Sequence, residues 1–284
     1  MISITKQDPN YIEIKFKKGK DVNEILVNTI RRLVLSEVSS FAFHPDNITI
    51  GKNTSILNND NIRHRISLLP IQKLKEKDYK SINITLALNE SNKSSKINTI
   101  TTDNCVIRVN NVIRRDMFPS PPVIIVNLKE DQEIELNATA SYEKAFVHNM
   151  YAAAANSYFD ESENYYTLFI EGLGQYSCED IFKMACESYL EKLIKLQVFL
   201  KEHENYEDNF IEFKIENENH TLGCLFVHEL QKLKDIEYAA YKMEHPSINN
   251  IEISITTNGS KNIKDVTNQV YKKLQDMFTN MIKL

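Results

Sequence analysis

The chain carries a distant copy of its own opening segment, and an internal repeat constrains architecture more firmly than any local propensity. Ile12-Glu13-Ile14-Lys15-Phe16 alternates apolar and polar residues as a half-buried strand does. Ile211-Glu212-Phe213-Lys214-Ile215 repeats that pattern almost residue for residue, about 200 positions later. A helix-period stretch follows each strand: Ile25, Leu26, Thr29 and Leu33 after the first, and Leu222, Leu225, Phe226, Leu230 and Leu233 after the second. Phe41 to Pro45 then leads into Ile48-Thr49-Ile50, and Tyr238 to Pro246 leads into Ile251 to Ile255. A His-Pro dipeptide, His44-Pro45 or His245-Pro246, sits at the matching place in each copy. Each is expected to begin a turn between strands, because Pro fixes its own φ and biases the preceding residue to extended geometry. A longer helical pattern closes both copies: Ile181, Met184, Ala185, Tyr189, Leu193, Leu196 and Leu200 in one, Val266, Val270, Leu274, Met277, Phe278 and Met281 in the other.

Between the strand near Ile50 and its closing helix, the first copy carries roughly 125 additional residues, enough for a separate subdomain. Strand-like stretches at 82–88, 105–109, 123–128 and 133–140, interrupted by a polar run at 89–96, predict an α+β insert at 46–149 built around a small sheet. A lone copy of about 75 residues would have difficulty covering two helical faces and a sheet face by itself. The expected architecture is therefore α+β: a module of residues 1–45 and 150–203 packed on a module of residues 204–284. The two would form an intramolecular pseudo-twofold dimer whose interface holds Leu193, Leu196, Leu222, Leu225, Phe226, Leu274 and Phe278. The acidic connector from Lys201 to Asp208 spans at most roughly 28 Å when extended, which favours pairing within one chain.

Composition excludes several classes. In 284 residues, 42% hydrophobic and 26% charged, no apolar run reaches the length of a membrane span, and Met1 to Asp8 lacks the basic and apolar regions of a secretory signal. A net charge of -5 argues against a chain whose main task is coating phosphate backbones. Cys105, Cys178, Cys186 and Cys224 form no CxxC pair and no zinc-finger spacing, so they read as reduced, mostly buried thiols. No Ser/His/Asp order, phosphate-cradling loop or zincin string occurs, so no catalysis, cofactor or metal is expected of this chain. The abundance of Ile, Asn and Lys points to an A/T-rich genome.

Several short strings carry their own physical reading. Arg31 and Arg32 are expected to close the first helix, where cations complement the C-terminal dipole. Asn53 and Thr54 suit a turn or cap that satisfies backbone donors. The single His of Arg63-His64-Arg65 fits a hydrogen-bonded structural group better than a metal ligand. His220-Thr221-Leu222-Gly223 reads as a helix start, with Asn219 or Thr221 capping and Gly223 admitting a neighbouring helix. Tyr151-Ala152-Ala153-Ala154-Ala155 suits close backbone packing. Pro119-Ser120-Pro121-Pro122 reads as a rigid loop, and Gly172-Leu173-Gly174 as a turn before the closing helix.

Taken together, Asn28-Thr29-Ile30-Arg31-Arg32-Leu33, Asn53-Thr54-Ser55-Ile56-Leu57, the string from Arg63 to Ile71, His220-Thr221-Leu222-Gly223, Tyr241-Lys242 and His245-Pro246 carry a resemblance. The first half resembles the larger α-like subunit of multisubunit DNA-directed RNA polymerases, related to the amino-terminal domain of bacterial α. The second half resembles its smaller α-like partner. In this order they look like the fused α-like subunit of large cytoplasmic DNA viruses, with which the A/T bias is compatible.

The resemblance implies a non-catalytic assembly platform, formed by two α-like dimerisation modules, that docks the largest and second-largest polymerase subunits. A small zinc-binding assembly subunit would join them, DNA would be met only through the complex, and no membrane is involved. It implies an intracellular location, in host cytoplasm or nucleus, with the virion as a further one. By the same resemblance, the face of Asn28, Arg31 and Arg32 meets the second-largest subunit, Asn53 and Thr54 lie in a loop meeting the large subunits, and Arg63, His64 and Arg65 serve docking. Ser39, Ser67 and Cys224 stand where the family carries Pro, Gly and Asn, and the lone Cys105 of the insert carries no zinc site over. No flexible DNA-binding tail like that of bacterial α is expected, since the helical pattern runs to the last residues. Two other classes compete: a free-standing nucleic-acid-binding regulator placing the Arg31/Arg32 helix in a groove, and a small-molecule enzyme with a pocket under the insert. The acidic net charge counts against the first, and no motif asks for the second.

Overall fold

The computed structural model describes residues 2–72, 74, 79–202, 209–245 and 247–284, and among them five α-helices are interspersed with fourteen strands. Strands β1 (Ile2–Asp8) and β2 (Tyr11–Lys17) precede helix α1 (Glu24–Ser36) and the long strand β3 (Ser39–Asn53). Helix α2 (Asn59–Ser67) leads to β4 (Ile84–Ser91), β5 (Asn98–Thr101), β6 (Val106–Val109), β7 (Val112–Arg114), β8 (Ile124–Leu128) and β9 (Glu133–Lys144). A hairpin of β10 (Ala154–Glu161) and β11 (Tyr165–Gly172) runs into helix α3 (Cys178–Glu202). The last part is β12 (Phe210–Glu216), α4 (His220–Gln231), β13 (Ile236–Lys242), β14 (Asn250–Thr257) and α5 (Ile263–Ile282). The fold is mixed α+β, divided into two compact units.

The first unit comprises Met1–Glu37, Asn156–Ile170 and Glu179–Leu284. Its two sheets have the strand orders β1-β2-β11-β10 and β12-β14-β13. Period-two patterning explains their inner faces: Ile12, Ile14 and Phe16 of β2 are buried, as are Ile251, Ile253 and Ile255 of β14. Helices α1, α4 and α5 each start at an asparagine cap, Asn23, Asn219 and Asn262, whose side chain accepts a hydrogen bond from a backbone N–H of the first turn. Leu26, Val27, Ile30, Leu33 and Val34 form the buried stripe of α1, and Leu222, Leu225, Phe226 and Leu230 that of α4.

Both repeats run strand, helix, hairpin, helix. In each, the opening strand pairs with the second strand of the hairpin: β2 lies beside β11 and β12 beside β14. The counterpart of β13 and β14 is therefore the hairpin of β10 and β11, and not Phe41 to Ile50 as the His-Pro match suggested. Phe41 to Ile50 belong to β3, which pairs antiparallel with β9 in the second unit. His44-Pro45 makes no turn there. It occupies an irregularity inside β3, between Phe43 and Ile48, where the ladder with β9 is interrupted and a missing N–H costs nothing. His245 does follow β13 in a turn, while Pro246 and connector residues 203–208 lie outside the described residues.

The second unit comprises Val38–Ala155 and Glu171–Cys178. It holds a five-stranded sheet, β3-β9-β4-β6-β7, and a two-stranded sheet, β5-β8. Phe41, Phe43, Ile62, Leu86, Leu136 and Leu128 belong to its core, so α2 is fixed through Ile62 and Ile66. Ala152, Ala153 and Ala154 are buried where backbones pack closely: Gln175 Nε2 donates to Ala152 O at 3.1 Å and Leu173 N to Ala153 O at 3.1 Å. Gly174 takes a positive φ of 93° in the turn before α3, a conformation that favours glycine.

Candidate interaction surfaces

Arg31 and Arg32 stand inside α1 and do not end it. The helix continues for another turn to Ser36, because Leu33 and Val34 extend its buried stripe, and its last turn holds no basic residue. The dipole explanation for this pair therefore falls. Asn28 Oδ1 accepts from Arg31 Nε at 2.9 Å, which braces the guanidinium along the helix face. Burial and then the neighbouring Arg32 charge pull the Arg31 pKa below its ordinary value. Among the described residues neither arginine makes an ion pair, so α1 presents two adjacent, half-buried cations.

Arg32 points to the second repeat: its Nε donates to Thr221 Oγ1 at 2.9 Å, at the start of α4. His228, at the same distance past cap Asn219 as Arg32 is past cap Asn23, reaches back so that its Nε2 lies 3.0 Å from Asn23 Nδ2. Helices α1 and α4 thus lie side by side in opposite directions. Burial, and then the Lys232 charge, lower the pKa of His228, consistent with a neutral ring whose Nε2 accepts from Asn23. Thr221 does not cap α4, because Asn219 Oδ1 accepts from Thr221 N at 2.9 Å. Gly223 meets a strand and not a helix: a Cβ built there would come within 2.8 Å of the Tyr241 ring on β13.

Two lysine-centred clusters complete these contacts. Lys192 of α3 lies 3.1 Å from Glu37 at the end of α1 and 2.9 Å from Glu218 just before α4. Burial opposes its charge, but Glu218 and Glu37 outweigh that and raise its pKa, while burial raises that of Glu218. Lys273 of α5 lies 2.7 Å from Glu229 of α4 and 2.6 Å from Asp21 just before α1. Tyr189 of α3 stacks on Phe278 of α5 with ring centroids 4.4 Å apart. Leu193, Leu196, Leu222, Leu225, Phe226, Leu274 and Phe278 are all buried.

The remaining candidates lie in the second unit. Asn53 Oδ1 accepts from Ser55 N at 3.0 Å and its Nδ2 donates to Leu57 O at 2.9 Å, so it shapes the turn into α2. Thr54 Oγ1 accepts from Glu133 N at 2.8 Å, tying the turn to β9. Arg63 reaches Asp60, and Arg65 Nη1 donates to Ile125 O at 2.9 Å, so both arginines brace α2 while the His64 ring is exposed. At the tip of the turn Ile56 is 74% exposed, an apolar side chain offered to solvent.

Sequence reasoning missed Asn23, His228, Lys192, Glu218, Lys273 and Asp21 and read Thr221 only as a capping candidate; their contacts with the other repeat arise only when the repeats meet. Lys192 did leave a trace. It falls one helical turn from Tyr189 and Leu196, on the apolar stripe where a solvated lysine does not belong. Among the described residues, no His, Cys, Asp and Glu side chains gather into a set able to hold a metal ion.

Residues 210–283 match the RNA polymerase Rpb3/Rpb11 dimerisation domain family. The Rpo11 subunit of DNA-directed RNA polymerase from Saccharolobus solfataricus is 33% identical over 76 residues, covering 27% of this chain and 83% of that protein. The chain belongs to the α-like subunits of DNA-directed RNA polymerases. A protein of Acanthamoeba polyphaga mimivirus, provisionally named as a DNA-directed RNA polymerase subunit, is similar over nearly the whole of this α-like subunit. It is 26% identical over 313 aligned residues, covering 94% of this chain and 86% of its own. No helix among the described residues of this α-like subunit is long and apolar enough to cross a membrane.

Proposed function

We propose that this subunit is a fused α-like heterodimer, folded as an intramolecular pseudo-twofold pair, which serves as a non-catalytic assembly platform for a DNA-directed RNA polymerase. One observation carries the reading: two repeats, in each of which the opening strand pairs with the second strand of the hairpin, meet through reciprocal contacts, Arg32 to Thr221 in one direction and His228 to Asn23 in the other. On this reading the first module consists of β1, β2, α1, β10, β11 and α3, the second of β12 to α5, and the second unit is the insert. The resemblance to the Rpb3/Rpb11 dimerisation domain and the similarity to a viral polymerase subunit along both halves support it.

The contribution of such a platform is positional. Joining both partners in one chain replaces a bimolecular step by one at high effective concentration. The unneutralised Arg31/Arg32 pair on α1 suits a carboxylate-bearing face of the second-largest subunit, and the turn carrying Asn53, Thr54 and exposed Ile56, with His64 of α2, forms a second docking surface. The second module is assigned to the largest subunit, with a small zinc-binding subunit as a further partner.

Affinity purification of the tagged chain from its native source tests this. Recovery of two very large polypeptides in equal amount is the expected result, and a chain recovered alone overturns the platform. Replacing Arg31 and Arg32 by Glu should abolish that recovery while the purified chain keeps its circular dichroism spectrum; normal incorporation would move the docking face elsewhere.

A further inference from the structure

The contacts between the repeats are reciprocal in position but unequal in chemistry. Each lysine cluster takes one carboxylate from its own repeat and one from the other: Lys192 has Glu37 and Glu218, and Lys273 has Glu229 and Asp21. In both clusters the foreign carboxylate stands just upstream of a helix cap, Glu218 one residue before Asn219 and Asp21 two residues before Asn23. With α1 and α4 aligned on those caps, the residue matching Glu218 is Val22, the residue matching Thr221 is Ile25, and the residue matching Asp21 is Asn217.

Resting on the pseudo-dimer reading, we propose that Glu218, Thr221 and Asp21, read by Lys192, Arg32 and Lys273, form a pairing code that makes the amino-terminal repeat accept the carboxy-terminal repeat and reject the like repeat of a second copy. If two amino-terminal repeats paired, Lys192 would find Val22 in place of Glu218, and Arg32 would face Ile25 in place of the Thr221 hydroxyl. A guanidinium N–H taken out of water against an aliphatic side chain loses its acceptor, and the buried ammonium loses one of its two carboxylates. If two carboxy-terminal repeats paired, Lys273 would meet Asn217 in place of Asp21. Both like-with-like pairs thus sacrifice a charge contact that the mixed pair makes. The apolar core cannot supply the distinction, because Leu26, Ile30 and Leu222, Phe226 are greasy in either combination.

The test uses the full chain with a protease site replacing residues 203–208, folded first and then cut. The cut protein is taken through partial denaturant and back, and its pairs are weighed by native mass spectrometry. Wild-type fragments should return only as mixed pairs. The variant Glu218→Val/Thr221→Ile, which gives α4 the approach residues of α1, should yield like-with-like pairs, tending to roughly one of each kind for every two mixed pairs when discrimination is gone. Mixed pairs alone from that variant, or like pairs from wild type, would overturn the code. Should the variant not refold, the exchange Asp21→Lys/Lys273→Asp decides: each single change should admit like pairs and the double change restore mixed ones, and no restoration overturns the code. Failure of the underlying reading looks different, since fragments of the cut wild-type chain would then separate before any denaturant is added.

Discussion

The two lysine clusters have the same connectivity and very different surroundings. Lys192 is 9% exposed and its partners Glu37 and Glu218 are 6% and 10% exposed, whereas Lys273 is 32% exposed and faces Asp21 at 54%. Water screens the Lys273–Asp21 contact of the second cluster and hardly reaches the first. Equal wiring therefore does not mean equal energy: the buried cluster is costly to break because its acids have no solvent to turn to. In the second cluster Lys273 and Asp21 reach water, and although Glu229 is only 1% exposed it keeps a second cation, Lys232 at 2.6 Å, when Lys273 is removed.

Lys192→Met should break that comparison most sharply, removing from between the buried Glu37 and Glu218 the ammonium that pairs both of them. A loss of about 3–5 kcal/mol in denaturant unfolding is expected, against about 1 kcal/mol for Lys273→Met. Equal losses would show that exposure does not govern the two clusters. The helix–sheet contact behind α4 offers the next test, since Val27 of α1 matches Gly223 of α4 by cap alignment. Gly223→Ala would force a Cβ into the Tyr241 ring at 2.8 Å, an overpacking of about 1–3 kcal/mol. The loss should shrink in a Tyr241→Ala background, and an additive pair of losses would remove the clash as its cause.

A smaller change, and a gain, is expected at the stack between α3 and α5. Tyr189 Oη is buried without a hydrogen-bond partner among the described residues, so Tyr189→Phe should stabilise by about 1 kcal/mol in thermal unfolding. The mildest effect is on pH. Burial holds the folded pKa of His228 below its usual 6.5, so on acidification the unfolded chain takes a proton that the folded chain resists. Stability should fall as pH drops through 6.5 and level off below the folded pKa. His228→Gln should flatten that segment of the stability–pH curve while Arg32→Gln leaves it in place; an unchanged slope in His228→Gln would assign it to another group.

How much of this was legible depended on whether a residue's partner was nearby in sequence. Strands β2 and β12 and the stripes of α1, α4, α3 and α5 follow from periodicity alone, which is local. The hairpin of β10 and β11 was hidden because the inserted unit separates it from the strand it completes, and a chance His-Pro match drew β3 into its place. Arg31 and Arg32 were found as a pair, yet their division of labour, one braced by Asn28 and one spent on Thr221, needed the second repeat in view. Lys192 and Glu218 illustrate the same limit: each is an ordinary charged residue until the fold removes the water from both.

The insertion point of the second unit also orders events during synthesis. β2 and α1 emerge early, but β11, the strand that closes onto β2, is not made until Val38 to Ala155 have been synthesised. That intervening stretch is nearly self-contained and can settle as it emerges, since domains generally fold as units in the order of translation. For this interval the inner edge of β2 stands unclaimed, an invitation to stray strands that a chaperone, or the speed of translation itself, must cover.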